Sequence, residues 1–412
     1  QATCSMYDKH FYMTKTMAKN HRDSFNLPGY VMPKEIRDWP GNPIDGNTAQ
    51  SWYIAPYVDV DNNGSYNPQN GDYPYYDFDN DLCPWTDANR ALAAENKLPQ
   101  TKETEKGIST GGIMADQVLK GDATLWWIFN DKGGAHTESK GSPIGLEIRA
   151  QAFGFATTDE LNNMTFYSYE IINRSTYELT ETYFSQWVDP DLGYAKDDYV
   201  GCDVERGLGY CYNGTAVDGN GLNTEYGANP PAVGVDFFQG PYLDPDGYDN
   251  PSYKGDNYYG PFFSANYDNA CEIVTAHENL REFTWFDSYD SIQETWTTKT
   301  ASVPVRAEAI NGVNFGDGIV DNERFGMRRF VYHNNDQSNI GDPSVAVHYY
   351  NMLRGIWKDN TQMRFGKNGH YLQTGTGAPQ CDFMFPGDSD PCNWGTKGQD
   401  PGSVWTEENV GN

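Results

Sequence analysis

The sequence predicts a mainly β protein: an antiparallel β-sandwich with long calcium-stabilised loops and a few peripheral helices. Three observations predict it. Between residues 124 and 188, apolar and aromatic segments with strand periodicity follow one another without intervening helices, which favours antiparallel pairing. The chain holds 42 Gly and 23 Pro, so turns and long loops make up much of it. Short acidic loops recur in which Asp alternates with Asn, Gly or Pro, and oxygen ligands at every second residue are how a chain wraps Ca²⁺.

Taken in order, residues 7–25 carry Phe11, Met13, Met17 and Ala18 among polar side chains with no Gly or Pro, which predicts a helix. Residues 28–84 turn to Pro, Gly, Asp and aromatics, an ordered loop region around the clearest acidic motif. An Ala-rich patch at 87–96, with Asp87 as its cap, reads as a short helix. Residues 101–112 are polar and Gly-rich, a linker or mobile loop. Strands are expected at 124–130, 146–156, 165–173 and 183–188, and later at 281–285, 300–309 and 325–333. A helix at 344–357 follows Asp342-Pro343 and spaces Val347, Tyr350, Leu353 and Ile356 on one face. The division that follows is residues 1–120, a helix with the calcium loop and linker, and residues 121–412, a sandwich-like region with loop insertions.

Charge narrows the function. Against 29 Lys and Arg stand 58 Asp and Glu, a formal net of −29. Such a field repels nucleic acid and anionic membranes and attracts divalent cations. Disorder is the other reading of an acidic chain, but 29 Tyr, 20 Phe and 11 Trp speak for a packed core. No apolar run is long enough to span a bilayer.

The clearest cation motif begins at Asp59. Counted from there, Asp61 and Asn63 fall at loop positions three and five, Gly64 at six, and Ser65 offers its carbonyl at seven. Position twelve is Asn70 where an EF-hand has a bidentate Glu, so Asp72 is expected to close the site. The competing reading is a cluster of Asx turns, in which Asp and Asn side chains bond their own backbone. A second set, Asp189, Asp191, Asp197, Asp198 and Asp203, gathers five carboxylates that would repel if packed without a cation, so they are expected to converge on a second ion or a tight hydrogen-bonded loop. Seven cysteines suggest an oxidising, exported setting. Cys381 with Cys392, and Cys202 with Cys211, are spaced for bridges across a loop and a hairpin.

No catalytic constellation stands out. Gly107-Ile108-Ser109-Thr110-Gly111 matches Gly-x-Ser-x-Gly but lacks the strand before it and the helix after it that a nucleophile elbow needs. His277-Glu278 lacks a second His at metalloprotease spacing. With so many acids, paired carboxylates for glycoside hydrolysis carry no specific signal.

Several blocks share a resemblance: Pro56 to Pro68 with Gly71-Asp72-Tyr73-Pro74, Trp126 to Asp131, Asp189 to Gly193 with Asp197 to Asp203, Asp321 to Met327, and Cys381 to Asp388. Together they resemble large secreted surface proteins of the Bacteroidetes exported by the type IX secretion system. That resemblance implies an extracellular or cell-surface location, and that the chain is the ordered part of a longer polypeptide. It also implies O-glycosylation at Ser291, because Asp290-Ser291-Ile292 resembles the acceptor sequence used there. The expected function is a structural or adhesive surface protein that contacts other surface proteins or glycans. The alternatives are a carbohydrate-active enzyme or binding module, and a subunit of a self-assembling fibre or sheath.

Overall fold

The computed structural model describes residues 6–42, 54–78, 112–114, 118–222, 224–251, 280–290, 292–293, 295–304, 306–316 and 320–410. The expected helix at 87–96, most of the 101–112 linker, Ser109, His277 and Ser291 lie outside them. Strands dominate, in several antiparallel sheets. The chain divides into two compact units at Thr180/Glu181.

The N-terminal unit opens with β1, Phe11–Thr14, followed directly by α1, Lys15–Ser24. The helix predicted from residue 7 is therefore a strand in its first part. Alternation in that segment buries Phe11 and Met13 while exposing Tyr12. Thr14 ends the strand and caps the helix, its hydroxyl accepting from Met17 N at 3.0 Å. A short helix α2, Lys34–Arg37, follows, then β2, Tyr57–Asp59, β3, Tyr73–Pro74, and β4, Gly112–Met114, which pair in the order β3-β2-β4. The strands predicted at 124–130, 146–156 and 165–173 are β5, Ala123–Asn130, β6, Leu146–Gly154, and β7, Phe166–Asn173. With β1 they form a four-stranded antiparallel sheet ordered β1-β5-β6-β7. Because β1 pairs with β5, residues 121–180 belong to the N-terminal unit, and the division falls well after residue 120.

One face of that sheet presents Phe11, Met13 and Trp126 to Ala18, Ile36, Trp39, Tyr57, Tyr66 and Tyr76. Burying Phe11 or Met13 contributes about 1.5–3 kcal/mol each. The acidic loop thus grows out of this core rather than from a separate surface module.

In the second unit, β8, Asp198–Asp203, β9, Leu208–Asn213, the short pair β10, Val217–Asp218, and β11, Gly227–Ala228, and then β12, Ala232–Asp236, come in order. β12-β9-β8 is one sheet and β10-β11 another. β13, Leu280–Asp290, and β14, Thr295–Pro304, form a long hairpin where strands at 281–285 and 300–309 were expected. β14 stops at Pro304, and residues 307–310 form a 3₁₀ turn. The helix expected at 344–357 is α3, Ala346–Leu353. Two expected strands do not form. Residues 183–188 run exposed and unpaired, and 325–333 makes only isolated bridges, such as Phe330 to Phe383. The apolar side chains of the latter, Phe325, Met327 and Phe330, pack on a core of Cys202, Val204, Phe315, Phe383 and Trp394. Much of this core is supplied by irregular chain, which is where the aromatic richness goes: Trp357, Met363, Met384, Phe385 and Trp405 form a second cluster.

Neither expected disulfide forms. Cys202, Cys211 and Cys381 are free, buried thiols. Cys202 pairs in register with Gly209 and Cys211 with Val200, so the two cysteines are diagonal neighbours on one face. Diagonal side chains sit about 7–8 Å apart, beyond the roughly 4 Å between Cβ atoms that a bridge requires. Cys381 donates its thiol to Phe383 O at 3.0 Å. Cys392 is disulfide-bonded, and not to Cys381.

Candidate metal centre

The pairing of β2 with β3 sets Val58 opposite Tyr73 and Tyr57 opposite Pro74. One step further along the same register, Asp59 faces Asp72 across the base of a loop. Reversal within the loop needs left-handed backbone at Asn62 (φ 55°), Gly64 (φ 78°) and Gly71 (φ 105°). At Gly71 a side chain would also strike the Phe25 ring, since a Cβ there would lie 2.7 Å from it. Asn62, Gly64 and Gly71 are thus explained by backbone geometry.

Both carboxylates at the base are fully buried. Asp59 Oδ1 and Oδ2 accept from Asn63 N (3.2 Å) and Gly64 N (2.7 Å). Asp72 Oδ1 and Oδ2 accept from Val60 N (2.8 Å) and Asn67 N (2.7 Å). Exposed Asp61 accepts from Asn63 N (3.2 Å) and from the Asn70 side-chain amide (3.0 Å). Asn70, at the position where an EF-hand has Glu, therefore steadies a carboxylate. Asn63 Oδ1 accepts from Ser65 N (2.8 Å) and Asn67 Nδ2 (3.3 Å), and Ser65 O accepts from Asn67 Nδ2 (3.2 Å). Both Asn63 and Ser65 brace the turn here.

Asp59, Asp61 and Asp72 each bring an oxygen to within 4.8 Å of the others. Two oxygens bound to one Ca²⁺ at about 2.3–2.6 Å lie at most about 5 Å apart. The separation is therefore compatible with one shared ion. Burial, and then repulsion from Asp59 and Asp61, push the Asp72 carboxyl above its ordinary pKa against the pull of its two backbone donors. Asp61 is held lower, chiefly by the Asn70 amide. Asx-turn bonding and cation binding are not exclusive here, because each carboxylate oxygen that takes one N–H keeps a lone pair.

A residue with no signal in the motif anchors the loop from α1. His21 is fully buried, its Nε2 lies 3.0 Å from Asp72 O and its Nδ1 2.9 Å from the Tyr30 hydroxyl. A carbonyl only accepts, so Nε2 carries the proton and Nδ1 accepts from Tyr30, a neutral ring whose pKa burial lowers. Tyr66 is clamped on the other side: Asn42 donates to its carbonyl (3.0 Å) and accepts from its N–H (2.8 Å), and its hydroxyl donates to Ile36 O (2.7 Å).

The five carboxylates of the second expected site do not assemble. Asp198 opens β8 and Asp203 closes it, about 16 Å apart at strand rise, too far to share an ion. Asp203 instead pairs with Arg206, and Asp189 and Asp191 are exposed. Asp197 accepts from Gly219 N (3.0 Å) and Asp198 from Leu192 N (3.2 Å). They are joined by Asp218, which the sequence reading missed; it is fully buried and accepts from Tyr194 N (2.9 Å) and Tyr226 N (2.5 Å). Burial and then repulsion from Asp197, Asp218 and Asp191 raise the Asp198 pKa. The same use of carboxylates recurs elsewhere. Asp321 accepts from Asp246 N and Gly247 N, Asp390 from Trp394 N and Gly395 N, and Asp131 from the backbone of residues 144–146. Among the described residues, only the Asp59 group brings three such side chains within reach of one ion.

No family model, characterised protein or solved structure matches the chain.

Proposed function

We propose that this chain is a secreted, calcium-stabilised cell-surface protein with a structural or adhesive role. The observation that carries the reading is the meeting of Asp59, Asp61 and Asp72 at the base of one loop, two of them buried. Burying like charges is costly unless they are neutralised, and a cation of flexible coordination suits three carboxylates and nearby carbonyls. An ion there would tie β2 and β3 to each other and, through His21, to α1. In this reading the fold is an antiparallel sandwich with cation-tied loops, of which β1-β5-β6-β7 is one layer. Export by the type IX route and a cell-surface location rest on the resemblance alone, as does glycosylation at Ser291.

The test is calcium binding by titration calorimetry, with melting followed in calcium and in EGTA. The reading expects one site lost on Asp59→Asn or Asp72→Asn and a lower melting temperature in EGTA. Absence of binding, together with melting indifferent to chelator, would refute it.

A further inference from the structure

The sheet β1-β5-β6-β7 carries its ionised strand residues on the face that is covered, beside the core, and leaves none on the other. Register places Arg149, Glu147 and Glu170 on the same face as Phe11, Met13 and Trp126, which is the covered one. There the charges are paired: Arg149 with Glu147 (3.0 Å) and Glu170 (3.7 Å), and Glu147 with Arg174 (3.1 Å). On the opposite face no strand residue is Asp, Glu, Lys or Arg, in a chain of which 21% is charged. Among the described residues that face is apolar and open. Tyr12, Phe129, Tyr167 and Tyr169 are 46–53% exposed, and Leu125 and Ile171 are close to 40%. Antiparallel sheets with one solvated face normally present polar side chains to water.

We infer that this open face is a self-association surface, on which a second copy of the same chain supplies the other layer of the sandwich. Size is the first argument. Strands of four, eight, nine and eight residues, at roughly 3.3 Å per residue and about 4.8 Å apart, give a face of about 460 Å². Two such faces in contact remove roughly 900 Å², the size of a weak, transient interface rather than of a permanent one. Charge is the second. A chain of net −29 repels its own copies, and this is a surface on which they meet without opposing acids.

Shape separates a protein partner from a glycan. A sugar face stacks on rings lying flat in one plane. Here Trp127 and Tyr169 stand edge to face at 89°, and His10 and Trp127 at 81°. Between these ridges β6 contributes Ala150, opposite Trp127 and Tyr169, and Ala152, opposite Leu125 and Tyr167. The result is a corrugated surface of large side chains around a row of small ones, suited to interdigitation with a second sheet. The inference rests on the sheet alone and holds whether or not the Asp59 centre binds calcium.

Sedimentation equilibrium of the full chain tests it, in calcium and in EGTA. Wild type should approach twice the chain mass with a dissociation constant of about 1–50 µM, as expected of a small interface. The double variant Tyr167→Glu/Tyr169→Glu should be at least about tenfold weaker, whereas Leu372→Glu, at an exposed position in the other unit, should match wild type. Hydroxyl-radical footprinting of wild type guards against misfolding of the variant: Tyr12, Tyr167 and Tyr169 should be reactive at nanomolar chain and protected at high micromolar chain. A wild type that stays monomeric, a double variant that associates as well as wild type, or the same protection at every concentration each overturns the inference. The last result would mean that the chain covers its own face.

Discussion

Replacing Asp72 by Asn separates a metal ligand from a turn brace, because the two roles give different answers with and without calcium. In the wild type both oxygens of Asp72 are occupied, by Val60 N at 2.8 Å and Asn67 N at 2.7 Å. Asn offers one oxygen and one NH₂, so one buried backbone N–H then meets a donor, at a cost of about 1–3 kcal/mol. Loss of a charge that burial and Asp59 already disfavour offsets part of this, leaving roughly 1 kcal/mol of destabilisation in EGTA. In calcium a second loss is added. An ion at 100 times its dissociation constant stabilises the folded state by about 2.7 kcal/mol, and removing one of three charged ligands removes most of that. At about 2–4 °C per kcal/mol for a unit of this size, calcium should raise the wild-type transition by roughly 5–11 °C and that of Asp72→Asn hardly at all. Differential scanning calorimetry in EGTA and in millimolar calcium reads both numbers. If the variant keeps the whole calcium shift, or if wild type has none, the carboxylates are turn braces only and the metal reading fails.

Asp61 is exposed, so Asp61→Asn should leave melting in EGTA unchanged while weakening calcium about tenfold or more by calorimetry; equal affinity for both proteins would exclude Asp61 as a ligand. His21 is held neutral by burial, with its pKa lowered from 6.5. The unfolded chain takes up that proton first, so the stability His21 contributes is present above about pH 6.5 and is lost as pH falls from there toward the lowered folded value. His21→Gln should flatten the melting profile in that window, and an unchanged slope would assign it to other groups. Burial pushes the Cys211 thiol up to about 11 and Cys381 up to about 12, and raises Cys202 well above its usual value. Native protein at pH 8 should therefore leave all three unalkylated by iodoacetamide, and denatured protein should expose them; rapid native labelling would contradict their burial.

The parts of this protein legible in its sequence are those whose cause is local. Strands β6 and β7 alternate over eight or nine residues, β5 is a short apolar and aromatic run, and both patterns survive whatever packs against them. The spacing Asp59, Asp61 and Asn62-Asn63-Gly64 was equally readable, because a tight loop needs left-handed backbone that Asn and Gly supply. Residues 11–14 were not legible as a strand. Their helical composition yields to pairing with β5, and nothing within the segment records that partner. Residues 325–333 have strand composition but pack into an aromatic core from irregular chain.

By itself the sequence determined an acidic, aromatic-rich chain, its longest strands, and an acidic loop punctuated by Asn and Gly. Only the tertiary structure decided which acids meet. Asp72 joins Asp59 through β-ladder register, and His21 reaches Asp72 from a helix far back in the chain. Asp203 leaves Asp198 because a strand extends between them, while Asp218 arrives from β10. The physical reason is that hydrogen bonds and carboxylate repulsion act over a few ångströms in space, and distance along the chain does not report distance in space once strands pair.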